Sequence, residues 1–183
     1  MHTIATPNSI DTPTHHFTEE YFKAALGRFP TGVAVITTAA PESGEPVGLT
    51  VSSFNSVSLN PPLVLWSLAK TASTLPYFMH NDQHVIHILS AQQLHLAKQF
   101  AYGPQTQRFH GHTVTRAPGG TLMLSDTQCA AWFECRTVAR HDAGDHIVLI
   151  NQVLHCERQF LQPLVYHAGD FDLTPSIEPI VQG

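Results

Sequence analysis

A proline pair, Pro61-Pro62, cuts the longest strand-forming stretch of this chain in two, and that break constrains the fold more than any other feature. Before it, Val47 to Leu59 is rich in Val, Ser, Thr and Phe. After it, Leu63 to Leu68 is a compact apolar strand. The same punctuation recurs along the chain. Val33 to Ala39 is a short β-branched strand, and Pro41 to Pro46 with Gly44 is a turn. His84 to Leu89 is a further strand, and Leu164 to Tyr166 is a last short one. Ala130 to Arg140 and His146 to Arg158 are long strands, and the turn at Asp142-Ala143-Gly144-Asp145 makes them an antiparallel pair.

Helical patterns are few and do not alternate with the strands. Thr18 caps a first helix, Glu19 and Glu20 suit its first turn, and Phe22, Ala25, Leu26 and Phe29 share one face before Pro30 stops it. A short helix is expected within Thr71 to Met79, limited by Pro76. Ser90-Ala91-Gln92-Gln93 reads as a capping box opening a helix to about Ala101, with Leu94, Ala97 and Phe100 or Ala101 on one side. Residues 102–128 read as irregular. About seven strands with inserted helices favour a mainly β fold, an antiparallel barrel, over a doubly wound sheet.

With 183 residues, 43% hydrophobic and 13% charged, one domain with a real core is expected. Residues 1–16 read as an N-terminal arm, 17–171 as the domain and 172–183 as a C-terminal tail. A net charge of -5 argues against a general nucleic-acid binder. No stretch suits a membrane span and the first residues do not pattern as a secretory signal, so a cytoplasmic setting is expected. Three cysteines, an odd number without a C-x-x-C pair, read as free buried thiols. The 13 histidines form no H-E-x-x-H and no Cys/His cluster, so no metal site is expected. Neither G-x-G-x-x-G nor a P-loop is present, so a nicotinamide-using enzyme here would not be a Rossmann protein.

Three stretches carry candidate chemistry. In Gly48–Leu63, Thr50 and Ser52 share one strand face, and Ser53 and Asn55 share the other unless a bulge intervenes. Hydroxyls beside an apolar strand suit a flat apolar ligand with a polar tail, such as a flavin; a solvent-facing Ser/Thr strand is the alternative. In Ser67–Thr74, Lys70, the hydroxyls of Thr71 and Ser73 and helix-start amides suit a phosphate, or make an ordinary cap with a solvated lysine. Gly144-Asp145-His146 brings a histidine to a strand start, at a pocket edge or on the bare surface.

Taken in order, Pro30–Thr37, Gly48–Leu63, Lys70–Thr74, Arg108-Phe109-His110-Gly111, Gly144-Asp145-His146 and Pro163–Gly169 resemble the flavin reductase-like family of split-barrel FMN-binding proteins. The reductase components of two-component flavin monooxygenases belong to that family. The resemblance covers about residues 17–171. It implies a split antiparallel β-barrel of Greek-key type, a homodimer, and a flavin near the dimer interface. It implies that Thr50, Val51, Ser52 and Ser53 line the flavin. Ser67, Leu68, Ala69, Lys70 and Ser73 would take the ribityl and phosphate end, and Phe109 would close over the ring or the nicotinamide. His146 would be the catalytic-site histidine on the nicotinamide side, with Gly144, Asp145 and Tyr166 beside the substrate. The implied activity is NAD(P)H:flavin oxidoreduction: FMN or FAD accepts hydride from NADH or NADPH, and reduced flavin passes to a partner monooxygenase. An enzyme that keeps its flavin and reduces another acceptor, or a non-catalytic flavin- or haem-binding module, are the alternatives. Two positions depart from the family: Asn151 stands where Gly is frequent, and Gly120-Thr121-Leu122 lacks a common Pro.

Overall fold

The structure, a computed structural model, describes residues 16–125 and 128–172. The arms expected at 1–16 and 172–183 lie almost wholly outside the described residues. Helix α1 (Glu19–Leu26) is capped by Thr18, whose hydroxyl accepts from the Tyr21 N–H at 3.1 Å. Strands β1 (Thr31–Gly32), β2 (Ala34–Ala39), β3 (Pro46–Val51), β4 (Asn55–Leu59) and β5 (Pro62–Ala69) follow. Helix α2 (Leu75–His80) precedes β6 (Gln83–Ile88). A single 3₁₀ turn (Ala91–Gln93) then leads into α3 (Leu94–Tyr102). The stretch expected to be irregular holds α4 (Gln105–Arg108) and the small hairpin β7 (Val114–Arg116) and β8 (Leu122–Leu124). The long hairpin β9 (Ala131–Ala143) and β10 (His146–Arg158) turns tightly through Gly144, whose φ of 66° suits a residue without Cβ. Strand β11 (Val165–His167) pairs with β1 on one side and with β12 (Asp170–Asp172) on the other.

The molecule is mainly β, as the sequence predicts. One seven-stranded antiparallel sheet runs β3-β2-β6-β9-β10-β5-β4. Its two edge strands, β3 and β4, are neighbours in the chain, joined by residues 52–54. In a flat sheet, edges six spacings apart would stand about 29 Å from each other. Four residue steps from Val51 to Asn55 reach at most about 14 Å. The sheet must therefore curl, bringing the end of β3 back toward the start of β4. The stretch expected as one strand, Val47 to Leu59, is two because it crosses this seam.

Two cores result. Ile36, Val47, Leu49, Trp66, Leu68, Phe78, Ile86 and Leu149 fill the inside of the curl. Val33, Val35, Leu89, Leu96, Ala97, Phe100 and Leu164 pack between the other face of β2 and α3. Alternate residues of β2 thus serve both cores. Gly48 is needed for this contact, since a Cβ there would stand 2.7 Å from the buried Phe100 ring. Helix α1 forms where the sequence places it. Its apolar face buries nothing within the chain, and Tyr21, Phe22, Leu26 and Phe29 stay exposed. Of the three free cysteines, Cys129 and Cys135 are buried as expected; Cys156 is exposed, because it lies past the point where the β9–β10 hairpin leaves the core.

Two histidines on β6 are fully buried. The Trp66 Nε1–H donates to His84 Nε2 at 3.3 Å, so neutral His84 carries its proton on Nδ1. Thr37 donates its hydroxyl proton to Leu122 O at 3.0 Å, so His87 donates from Nε2 to Thr37 Oγ1 at 3.2 Å. Burial lowers His84 to about 4 and His87 to about 3, which keeps both neutral at pH 7. As pH falls below 6.5 the unfolded chain binds protons that the folded chain cannot, costing up to about 1.4 kcal/mol per unit per histidine. Glu134, whose carboxylate sits below its ordinary range, adds its own loss only at lower pH. Urea unfolding should show stability falling steadily from pH 6.5 to pH 4.5, and a His84→Gln, His87→Gln double variant should show a flatter slope over that interval.

Candidate functional site

The predicted segments meet at the seam. The Ser53 hydroxyl accepts from Ser67 N–H at 2.9 Å and donates to Ser67 O at 3.1 Å. That one side chain fastens the connection after β3 to the last residues of β5. Strand β10 lies on the other side of β5, with Ser67 opposite Val148, Leu68 opposite Ile147 and Ala69 opposite His146. The Lys70 N–H donates to Asp145 O at 2.9 Å, extending that pairing into the Gly144-Asp145 turn. Thr50 to Ser53, Ser67 to Lys70 and Gly144 to His146 therefore form one continuous surface.

Its charges are arranged in pairs. Lys70 Nζ lies 2.7 Å from Asp142 Oδ1, with both side chains partly exposed. His146 Nδ1 lies 2.7 Å from Asp145 Oδ1, and this hydrogen bond, then the imidazole's charge, holds the exposed Asp145 carboxyl below its usual range. With Nδ1–H facing the carboxylate, His146 presents Nε2 outward as an acceptor.

The free edge of β3 supplies backbone groups. Arg108 donates from Nη1 to Gly48 O at 2.6 Å. The Gln105 amide, oriented so that each end meets a complementary partner, donates to Gly48 O at 3.0 Å and accepts from Gly48 N–H at 3.1 Å. Gly48 thus points its backbone away from β2. By the two-residue period of an antiparallel ladder, Thr50 points its N–H and C=O the same way. The Thr50 hydroxyl is committed elsewhere, donating to Ala97 O of α3 at 2.7 Å. Thr50, Val51 and Ser52 line a hollow of about 160 Å³ with Val33, Tyr102 and Tyr166. Tyr166 reaches it from β11, its ring edge-on to Phe171 at 5.3 Å.

Two predicted residues lie apart. Ser73 is on the wall of a separate groove beside α2. The Phe109 ring meets Phe100 edge-on at 4.9 Å and borders a hollow with Glu45, Pro46, Gln105 and Thr106. Tyr102 and Gln105 were not singled out in the sequence. Tyr102 falls one residue past the expected end of its helix, and Gln105 lies in a segment without periodicity. The two family departures are accommodated. Asn151 is buried at a bulge of β10, accepts from the Thr137 hydroxyl at 3.0 Å and donates to Leu149 O at 3.0 Å. The segment without proline is pinned by Glu134, whose carboxylate accepts from Gly119 N–H at 2.8 Å and Thr121 N–H at 3.1 Å.

A curled antiparallel sheet with a hydroxyl-rich seam, a lysine-bearing strand end and a histidine turn on one surface defines the class. The flavin reductase like domain model matches residues 26–174, and the chain belongs to that family. It is 43% identical to "FMN reductase (NADH) SmoA" of Agrobacterium fabrum, over 82% of this chain and 83% of that protein. Its fold is similar to that of the flavin reductase PheA2, with a TM-score of 0.77, 31% identity, and 86% of this chain and 99% of that chain covered. It is similar also to the styrene monooxygenase flavin reductase of Pseudomonas putida S12, with a TM-score of 0.74, 28% identity, and 84% and 97% of the two chains covered.

Ser53→Ala removes both bonds across the seam and leaves the Ser67 amide and carbonyl without these partners. Unfolding experiments should show a loss of about 1–3 kcal/mol. Ser53→Thr, which keeps the hydroxyl, should recover part of it.

Proposed function

We propose that this chain is an NADH:flavin oxidoreductase that reduces FMN or FAD and hands reduced flavin to a partner monooxygenase. The convergence of Thr50–Ser53, Ser67–Lys70 and Gly144–His146 on one surface carries the reading. The names of the relatives support it: one is an NADH-linked FMN reductase, another the reductase of a styrene monooxygenase. NADH as the donor suits a cytoplasmic setting. Among the described residues no helix is long and apolar enough to cross a membrane.

The donor set fits a flavin. The outward N–H and C=O of Thr50 offer a donor and an acceptor side by side, which match the alternating acceptors and donors of a pyrimidine-dione edge. When bound, a flavin supplies the hydride acceptor for a reduced nicotinamide. The protein's own task is to hold the two rings in contact and exclude water. Ser52, Val51 and Tyr166 form the wall. Lys70 offers a cation for the phosphate end, in competition with Asp142. Asp145 fixes the His146 ring so that Nε2 accepts from a carboxamide N–H of the nicotinamide. No side chain has to move a proton for the hydride step.

The hollow at Thr50 is too small to be a whole site. Small-molecule pockets run from about 300 to 1,000 Å³, against about 160 Å³ here. A second copy completes it on this reading, and α1 with the turn after it offers the surface: Tyr21 is 70% exposed on a helix that buries none of its residues, and Phe29, just beyond the helix, is 72% exposed. The chain is accordingly a homodimer with flavin near the interface.

An absorbance spectrum of the purified protein, followed by NADH and NADPH oxidation with FMN, FAD and riboflavin, tests the function directly; absence of flavin-dependent NADH oxidation would refute it. His146→Ala should raise the KM for NADH and lower kcat by about tenfold or more, the scale of one lost hydrogen bond, while flavin affinity changes little. Leu26→Asp should shift the dimer toward monomer in sedimentation velocity and weaken flavin binding along with it; a monomeric wild type would remove the dimer from the proposal.

A further inference from the structure

Stability does not account for the ion pair at the end of β10. Ile147 of β10 lies between Asp142 of β9 and Leu68 of β5. Lys70 stands two residues beyond Leu68, and its ammonium reaches across the end of β10 to Asp142 Oδ1 at 2.7 Å. The turn between β9 and β10 is already fixed by its own ladder and by the bond from Lys70 N–H to Asp145 O. With 38% of the lysine side chain and 69% of the aspartate side chain open to solvent, such a pair adds little to the fold. We propose that Asp142 sets how long this chain holds a phosphorylated flavin: it occupies Lys70 between turnovers and repels the phosphate that arrives there, so FMN exchanges quickly. The assignment rests on the oxidoreductase reading and names the residue that regulates release at that site.

Three observations carry it. The first is charge balance. Lys70 faces two carboxylates. Asp142 touches it, and Asp145 is held below its usual range by the His146 hydrogen bond and charge, with Lys70 a smaller contributor. A phosphate monoester brings a charge of about −1.5 to −2 at pH 7, so it meets one cation and two anions. The second is the commitment of the seam hydroxyls. Thr50 donates to Ala97 O and Ser53 to Ser67 O, so the charge at Lys70 weighs the more heavily on what a phosphate gains by docking here. The third is freedom. The Asp142 side chain is more exposed than the lysine it holds, so its carboxylate swings to water when a phosphate takes the ammonium and returns when the flavin leaves. Riboflavin shares the ring and ribityl chain of FMN but has no phosphate, so it does not compete with Asp142.

Dissociation constants for FMN and riboflavin, read from flavin fluorescence or equilibrium dialysis, test this in two variants. Asp142→Asn keeps the size of the side chain and removes its charge; Asp142→Glu keeps the charge. At low salt Asp142→Asn should bind FMN about fivefold more tightly than the wild type, the scale of one exposed charge pair, with riboflavin unchanged and Asp142→Glu close to the wild type. Stopped-flow displacement should show the gain as slower FMN release. Raising the salt to about 0.5 M should shrink the gain. Unchanged FMN affinity in Asp142→Asn, or an equal tightening for riboflavin and FMN, overturns the proposal and leaves the oxidoreductase reading in place. A wild type that binds neither flavin counts against that reading; the proposal then stands if Asp142→Asn gains FMN binding and falls if it does not.

Discussion

Everything at the site hangs on one hydroxyl. The seven-stranded sheet ends on two strands that are adjacent in the chain, so curling is forced, but curling alone does not say where the edges touch. Ser53 decides it by accepting from and donating to the same residue, Ser67. A serine suits this position because it is short enough to lie between two backbones and has both a proton and lone pairs to offer. Residues 50–53 are thereby set beside the end of β5, and the β5–β10 ladder carries the alignment on to His146. The seam is a local hydrogen-bond exchange rather than a ladder, and the edge of β3 next to it stays open. Gln105 and Arg108 occupy that edge at Gly48 only, which leaves the Thr50 position free for a ligand.

The interior supports this with polar residues that fix register. Strand β6 buries His84, Val85, Ile86 and His87 together, so its two faces cannot be told apart by hydrophobicity. The two imidazoles distinguish them. His84 accepts from Trp66 of β5, and His87 donates to Thr37 of β2. A slip of one residue would turn each ring to the wrong face and leave the indole N–H and the threonine oxygen unmatched. The neutrality that burial imposes on both rings is part of the same device, since a protonated imidazole would have no acceptor for its second proton.

The sequence made most strands of the large sheet and the turns between them legible because proline pairs, Gly-Asp turns and β-branched runs act locally; the small hairpin β7–β8 escaped it. It also made the three chemistry-bearing segments legible as segments. What it concealed is how their side chains are spent. Thr50 and Ser53 both read as ligand hydroxyls, yet Thr50 anchors α3 and Ser53 closes the seam. Lys70 read as a bare cation and is paired with Asp142, 72 residues on. Such commitments depend on partners far away in the chain and leave no periodic trace. Gln105 was missed for the same reason, being a capping group supplied from the short helix α4 to a strand far back in the chain. The shared face of α1 was legible, but not its partner, because amphipathicity reports that a face is apolar, not which molecule covers it.

These commitments bear on how tightly a flavin can be held. A phosphate entering near Lys70 must displace a carboxylate at 2.7 Å from a partly exposed ammonium, in water and salt. The Thr50 and Ser53 hydroxyls are already in use, so Ser52, the backbone of one strand edge and the walls of a shallow hollow remain. A site built this way binds through shape and a few backbone hydrogen bonds, without a dedicated anion cage. Such a site turns flavin over more readily than it stores it. On the proposed function that is the useful property, because a reductase that supplies a separate oxygenase has to let the reduced ring go.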